Sequence, residues 1–373
     1  RAGVKVYTHR PTRGYPTDVD TIVSEAGYGA NPYIETDKPL VVVTAPGPNS
    51  GKLATCLSQI YHEHQRGVQA GYSKFETFPI WSIPLKHPVN VAYEAATAEL
   101  RDFNMIDPFH HAAHGQITIN YNRDVEVFPM VKRILEKVTS GPSPYQSPTD
   151  MGVNRAGFGI VDDEAVQEAG RQEIIRRYFR YACEYAMGFV DKETVQRVES
   201  LMRESTIGVE ARKVVMPARA AAAEVKAQGK GYKGIYCGAA LELPDGSIVT
   251  GKNSPLLHAT SSVFLNAIKQ LAGLPDPLHL LAPNVLESVS SLKRNMLRHK
   301  GVSLDLSETL ICLAMSAASN PSVQLALDTI PQLRDCEVHL SHIPSPGDEA
   351  GLRRIGANLT CDPNFATKDL FIS

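Results

Sequence analysis

Leu40-Val41-Val42-Val43-Thr44 constrains the fold more than any other stretch of this chain. A continuous β-branched run suits a strand buried on both faces. A Gly/Pro-rich turn follows, and then a predicted helix over 52–65. Within it Leu53, Cys56, Leu57 and Ile60 fall at i, i+3, i+4 and i+7 and make one apolar stripe. Strand, glycine turn and helix in succession predict a parallel α/β sheet. Residues 4–7 and 20–24 read as shorter strands before it and 71–80 as a returning one. Helices are expected near 91–101 and 127–139.

Gly141-Pro142-Ser143-Pro144, with Pro148 beyond, breaks this pattern. The next region reads as helical over 162–185, 192–204 and 209–226. Asp162 and Asp163 open the first of these helices, where they favour its dipole. Gly229-Lys230-Gly231-Tyr232-Lys233-Gly234 then reads as a joint. A hairpin is expected around Pro244-Asp245-Gly246, since proline presets φ and glycine accepts a positive one. Helices at 258–271, 285–297, 307–319 and 321–333 and a strand at 336–343 complete the chain. The expected fold is therefore α/β, with a parallel sheet carrying a phosphate-loop-like strand–turn–helix over 1–145. A helical region over 146–232 and a smaller α+β domain over 233–373 follow.

Lys and Arg total 38 against 40 Asp and Glu, so no global basic field exists to hold nucleic acid or an anionic membrane. No apolar run reaches the roughly 18–20 residues that a bilayer requires. The six cysteines, Cys56, Cys183, Cys237, Cys312, Cys336 and Cys361, form no C-x-x-C pair. Their wide spacing fits neither a disulfide framework nor a zinc ribbon, and points to reduced thiols in a cytoplasmic protein. The chain opens at Arg1 and runs at once into a strand-like segment, as the inside of a domain whose N-terminal part is missing would do.

The most chemical segment is Thr44-Ala45-Pro46-Gly47-Pro48-Asn49-Ser50-Gly51-Lys52-Leu53-Ala54-Thr55. Between a strand and a helix, backbone N–H groups of such a loop converge on a phosphate, the helix N-terminus adds partial positive charge, and a lysine adds a full one. Gly47, Asn49, Ser50, Gly51, Lys52 and Thr55 are the expected phosphate or cofactor contacts, with ATP or another Mg-nucleotide as the candidate ligand. The pattern departs from G-x-x-x-x-G-K-[ST] in two ways. The first glycine is one position late, at Gly47, and the magnesium-binding hydroxyl position holds Leu53, leaving Thr55 as the nearest hydroxyl. The bland alternative is an ordinary strand-to-helix turn with a solvated lysine.

Asp107-Pro108-Phe109-His110-His111-Ala112-Ala113-His114 holds three histidines and an aspartate. On a helix His110 and His114 would share a face, yet no H-E-x-x-H pattern accompanies them. A polar helix start with solvated imidazoles is the favoured reading, with no metal. Arg123, in Asn120-Tyr121-Asn122-Arg123-Asp124, could clamp a phosphate or carboxylate; Asp124 reads as a helix cap. Asp150 lies in the polar turn 147–155, where it could position a second substrate. Lys52, Arg123 and Asp150 are thus the candidate catalytic residues. His258-Ala259-Thr260 after a hairpin faintly resembles a zinc deaminase, but the glutamate position is Thr260 and no P-C-x-x-C follows, which excludes that chemistry.

Residues 14–20, 41–58, 75–81, 105–110, 120–129, 147–154 and 243–252 together resemble the uncharacterised bacterial family defined by domain of unknown function 1846. The resemblance covers essentially the whole chain. It implies a cytosolic protein whose usual chain starts well before Arg1, with the phosphate-loop-like segment matched at Gly47, Ser50, Gly51 and Lys52. Of the histidine cluster only His110 belongs to the family's pattern. No established activity comes with the resemblance.

The leading expectation is an enzyme that binds a nucleotide or phosphorylated small molecule through residues 47–52, with Lys52 neutralising charge during phosphoryl-transfer or ligase-like chemistry. The second reading is a Rossmann-like dinucleotide-binding enzyme that uses the same loop for a pyrophosphate, although no clean G-x-G-x-x-G follows a strand. A non-catalytic scaffold or sensor is the third reading. A homo-oligomer is expected, with neither nucleic acid nor membrane as partner.

Overall fold

The computed structural model describes residues 3–47, 50–298 and 301–367 of the 373. It is a mixed α/β structure that divides into two compact units, residues 1–170 and 171–373.

In the first unit α1 (Val19–Ile22) stands where a strand over 20–24 was expected. Asp18 decides the difference: its carboxylate accepts the Thr21 N–H at 3.0 Å and the Thr21 hydroxyl at 2.5 Å, so it caps a helical turn. Residues 40–44 are extended, yet they join no ladder, and Leu40 and Val42 are about four-fifths exposed (79% and 80%). A buried parallel strand needs a hydrogen-bonded neighbour on each edge and cover on both faces. The described residues supply neither to this run, nor any ladder to residues 4–7.

α2 (Lys52–Gln65) forms with the stripe the sequence dictates, burying Leu57, Ile60 and Tyr61. Next come β1 (Lys74–Phe75), α3 (Pro88–Ala96), β2 (Asn104–Ile106), α4 (Pro108–His114), β3 (Ile119–Tyr121), α5 (Asn122–Thr139) and β4 (Gly152–Val153). The parallel sheet expected here is reduced among the described residues to two ribbons, β1 parallel to β4 and β2 antiparallel to β3. α2 and α5 supply most of the apolar core, where Leu57, Ile60 and Tyr61 meet Phe128, Val131, Ile134 and Leu135. The division between units falls within α6 (Asp163–Ala186).

In the second unit Asp191 caps α7 (Lys192–Glu204), accepting the Thr194 N–H at 2.8 Å, and α8 (Val215–Ala227) follows. The expected hairpin forms as β5 (Gly238–Glu242) and β6 (Ile248–Lys252), with Leu241 opposite Val249 and Gly246 at φ 81°. α9 (Ala259–Leu271), α10 (Pro283–Ser291), α11 (Leu306–Ala317) and α12 (Pro321–Leu327) precede β7 (Glu337–Leu340), α13 (Pro346–Ile355) and β8 (Asn358–Cys361). The sheet order is β6-β5-β7-β8, antiparallel except for the final β7–β8 pair. Along β5, Ala239 and Leu241 enter the main core with Val263 and Phe264 of α9. Ala240 packs instead with Ala218 of α8 and Val214. Successive residues of a strand face opposite sides, so two helices cover the two faces and β5 is apolar at consecutive positions.

Candidate functional site

In the first unit a half-buried charged cluster forms around β1, β3 and the start of α5. Lys74 Nζ lies 2.6 Å from Glu76 Oε1 and 2.5 Å from Asp124 Oδ2, and donates to the Tyr121 hydroxyl. Local sequence dictates much of this. β1 places Lys74 and Glu76 two residues apart on one side, while the Glu76 N–H is tied to Val153 O at 3.0 Å. β3 runs straight into α5, so Tyr121 and Asp124 arrive at the same point from a strand end and a first helical turn. Asp124 was expected to cap that helix. It lies within the first turn instead, and its carboxylate is taken by Lys74.

Burial raises the Glu76 carboxyl pKa, the nearby Asp124 charge adds to this, and Lys74 only partly offsets it. Burial alone would weaken the Lys74 ammonium, but Asp124 and Glu76 more than reverse this and hold its pKa above the ordinary value. Lys74 therefore stays charged at neutral pH. It is no Schiff-base nucleophile, but it is suited to neutralise charge that develops on a substrate oxygen. Burial also pushes Tyr121 upward, and Tyr93 up to about 12. Tyr93 stacks on Phe78 at 14° between ring planes, so an aromatic wall stands beside the charges.

Arg123 is committed to Asp102, with Nη2 2.7 Å from Oδ2, and its guanidinium stands 5.8 Å from the Tyr121 ring. A buried carboxylate thus fixes a positive charge next to the network.

Asp150 lies on a second group. Its Oδ2 accepts the N–H groups of Gln146 at 2.8 Å and Ser147 at 3.1 Å, and its Oδ1 is 3.0 Å from His114 Nε2 and 3.5 Å from His110 Nδ1. Asp107 caps α4 by accepting from the Phe109 and His110 N–H groups, and it receives the Thr149 hydroxyl at 2.6 Å. One wholly buried aspartate therefore joins the histidine helix to the turn that carries Asp150.

At the loop, Gly51 has φ 85° and starts α2 without a side-chain cap, so Lys52 is the first helical residue. Lys52 Nζ folds back to Gly47 O at 2.7 Å and Ser50 Oγ at 3.1 Å. Thr55 is half-buried one turn further on, and Asn49 lies outside the described residues. Leu53 of α2 and Tyr72 pack against the same core cluster as Phe109 and Val127. Tyr72 also feels the charges of Lys74, Asp124 and Glu76. The first turns of α2 thus adjoin the segment that leads into Lys74.

With this geometry in view, the comparison with known proteins is decisive. The N-terminal DUF1846 domain, a domain of unknown function, matches residues 1–206, and the C-terminal DUF1846 domain matches residues 210–371. The chain belongs to the DUF1846 family. It is 55% identical over 371 residues to UPF0371 proteins of Clostridium botulinum strains Alaska E43 and Eklund 17B, matching 100% of this chain and 74% of each relative. A UPF0371 protein of strain Langeland is 55% identical over 372 residues with the same coverage. In this DUF1846 chain no described helix is long and apolar enough to cross a membrane.

Sequence reasoning about the DUF1846 chain singled out Lys52, Arg123 and Asp150, and missed Lys74, Glu76 and Tyr121. No motif joins Lys74 to Asp124 fifty residues on. The one available signal was the polar and aromatic run 120–124, which supplies half of the network.

Proposed function

We propose that this DUF1846 protein is an enzyme acting on a nucleotide or another phosphorylated small molecule. The phosphate is taken by the 47–52 loop at the open start of α2, Glu76 carries the proton transfer, and Lys74, held by Asp124 and Tyr121, neutralises the charge that develops. The observation that carries this reading is the half-buried lysine held between two carboxylates and a phenol. A lysine, two acids and a tyrosine sharing one site, with one acid pushed toward its neutral form, are the parts of a general acid–base centre. Lys52 supports the loop's share. Its ammonium already lies over Gly47 O and Ser50 Oγ, so an arriving phosphate would exchange neutral acceptors for a charged one. Arg123, fixed by Asp102, would orient the substrate's second acidic group.

Thermal unfolding against ATP, GTP, NAD, inorganic phosphate and pyrophosphate, with and without Mg²⁺, tests the reading. A ligand at 100 times its Kd stabilises by about 2.7 kcal/mol. The expected result is a shift with a phosphorylated ligand that Lys52→Ala removes and Glu76→Gln preserves. A flat panel, or a shift that survives Lys52→Ala, overturns it.

A further inference from the structure

His110, His114 and Asp150 are separate from the lysine network, and their arrangement has a simple chemical description. Two imidazoles one helical turn apart and one carboxylate place their donor atoms within 4.8 Å of one another. In sequence the third group lies 36 residues beyond the second, which is why the histidine pair alone read as solvated. We infer that these three side chains form a binding site for a divalent transition metal, of which Zn²⁺ is the natural probe.

The distances support a common centre. Ligands held about 2.0–2.2 Å from a tetrahedral ion lie about 3.4 Å from one another. The separations from Asp150 Oδ1, 3.0 Å to His114 and 3.5 Å to His110, bracket that value. An ion entering between them would replace the His114–Asp150 hydrogen bond, the His110–Asp150 ion pair and the His110–Ser147 hydrogen bond.

Asp150 is held from behind. Asp150 cannot turn away, because its other oxygen accepts two backbone N–H groups and its own N–H donates to Ser147 Oγ at 3.0 Å. Ser147 Oγ also meets His110 Nδ1 at 2.9 Å, and it retains the Asp150 N–H when the imidazole turns to an ion. The helix bearing both histidines is pinned at its first turn by Asp107. Supporting contacts of this kind orient ligands in known metal sites.

The donor set is informative as well. Two imidazoles and a carboxylate suit Zn²⁺ and its first-row neighbours rather than Ca²⁺ or Mg²⁺, which prefer oxygen alone. His110 is buried while His114 is exposed, so the fourth position faces solvent and would hold water. A net charge of −1 from the ligands leaves an ion of charge +2 incompletely neutralised, as in sites where the metal polarises a bound water.

The test uses the whole chain, stripped with chelator and titrated calorimetrically with Zn²⁺, and in parallel with Co²⁺ by visible absorption. One equivalent is expected to bind, with a Co²⁺ spectrum of nitrogen and oxygen ligands. Contacts behind the ligands are worth about 10–100-fold in metal affinity. Loss of a ligand itself, in His114→Ala or Asp150→Asn, should therefore weaken binding at least about tenfold, while His111→Ala should leave it unchanged. His114 is exposed, so its variant separates ligand loss from unfolding, which circular dichroism verifies. No stoichiometric binding, binding untouched by His114→Ala, or a thiolate charge-transfer band from Co²⁺ each overturns the assignment.

Discussion

His258 Nδ1 lies 2.7 Å from Asp348 Oδ2, and that carboxylate is completely buried. Asp348 also accepts the Leu306 N–H at 3.0 Å and the Ser345 hydroxyl at 2.8 Å. It ties the N-termini of α11 and α13 to the residue that precedes α9. Burial alone would depress the His258 pKa, but the bond and charge of Asp348, helped by Asp305, raise it above the ordinary histidine value. The folded chain thus holds this proton more tightly than the unfolded one. The resulting stability is complete below the ordinary histidine pKa and is lost as pH rises through the raised value. Urea midpoints should fall across that alkaline window, and His258→Gln should flatten the fall. An unchanged slope in the variant would refute the assignment.

His342 has the opposite sign. Burial pushes it down to about 4 against the opposing charges of Asp348 and Asp362, and its Nδ1 is buried with no hydrogen-bond partner among the described residues. The unfolded histidine takes up its proton near pH ~6.5. The folded one resists to about pH 4, so stability is present above the ordinary value and drains away as pH falls through this window. The loss approaches about 3 kcal/mol. His342→Leu should remove most of that acid slope. His339, also lowered by burial, should leave a remainder of the same sign.

Gly251 marks the closest approach of β6 to α9. A Cβ there would lie 2.1 Å from Val263 N, 2.6 Å from Val263 Cα and 2.7 Å from Ala259 O, all backbone atoms that a rotamer change cannot clear. Gly251→Ala should cost about 2–3 kcal/mol in chemical denaturation. Gly47→Ala, where nothing among the described residues lies within 4 Å, should be nearly neutral for stability.

Arg212 is 1% exposed and straps β7 to β8. Its guanidinium donates to Thr360 Oγ1 at 2.8 Å, Asn358 O at 2.7 Å, Val338 O at 3.3 Å and the Glu337 carboxylate. Arg212→Met removes the shared donor, although Glu337 keeps Arg176 and Asn358, Val338 O keeps the Thr360 hydroxyl and Thr360 keeps His339, and it should cost about 2–3 kcal/mol. Arg212→Lys should rescue little, since one ammonium cannot span the four acceptors. Equal stability of the lysine variant would show that charge alone matters.

Where the sequence carried its own periodicity, it was readable. The stripe of α2, the span 192–204 of α7 and the Pro244-Asp245-Gly246 hairpin all depend on local rules, and the structure contains them. Residues 20–24 misled because β-branched Thr21, Ile22 and Val23 suggest a strand, while the Asp18 cap turns the chain into a helix. The run 40–44 misled more deeply. A strand is defined by its neighbours, and no property of Val41 or Val42 says whether a neighbour is present. The lysine network and the His110–Asp150 group were opaque for a related reason. Each is assembled by tertiary contact, β1 against the end of β3 and the start of α5, and α4 on the 146–150 turn, across separations that spacing rules do not reach.

The exposed run at 40–43 has a further consequence for handling the protein. Four uncharged apolar residues in an extended backbone that joins no ladder among the described residues are a template onto which a second chain can add a strand. Pro39 and Pro46 bracket the run, and Lys38 adds a charge at one end, so any such zipper is confined to a few rungs. The 40–43 edge is where concentrated solutions of this chain would begin to aggregate, and a single Val42→Lys exchange is the most economical way to keep them clear.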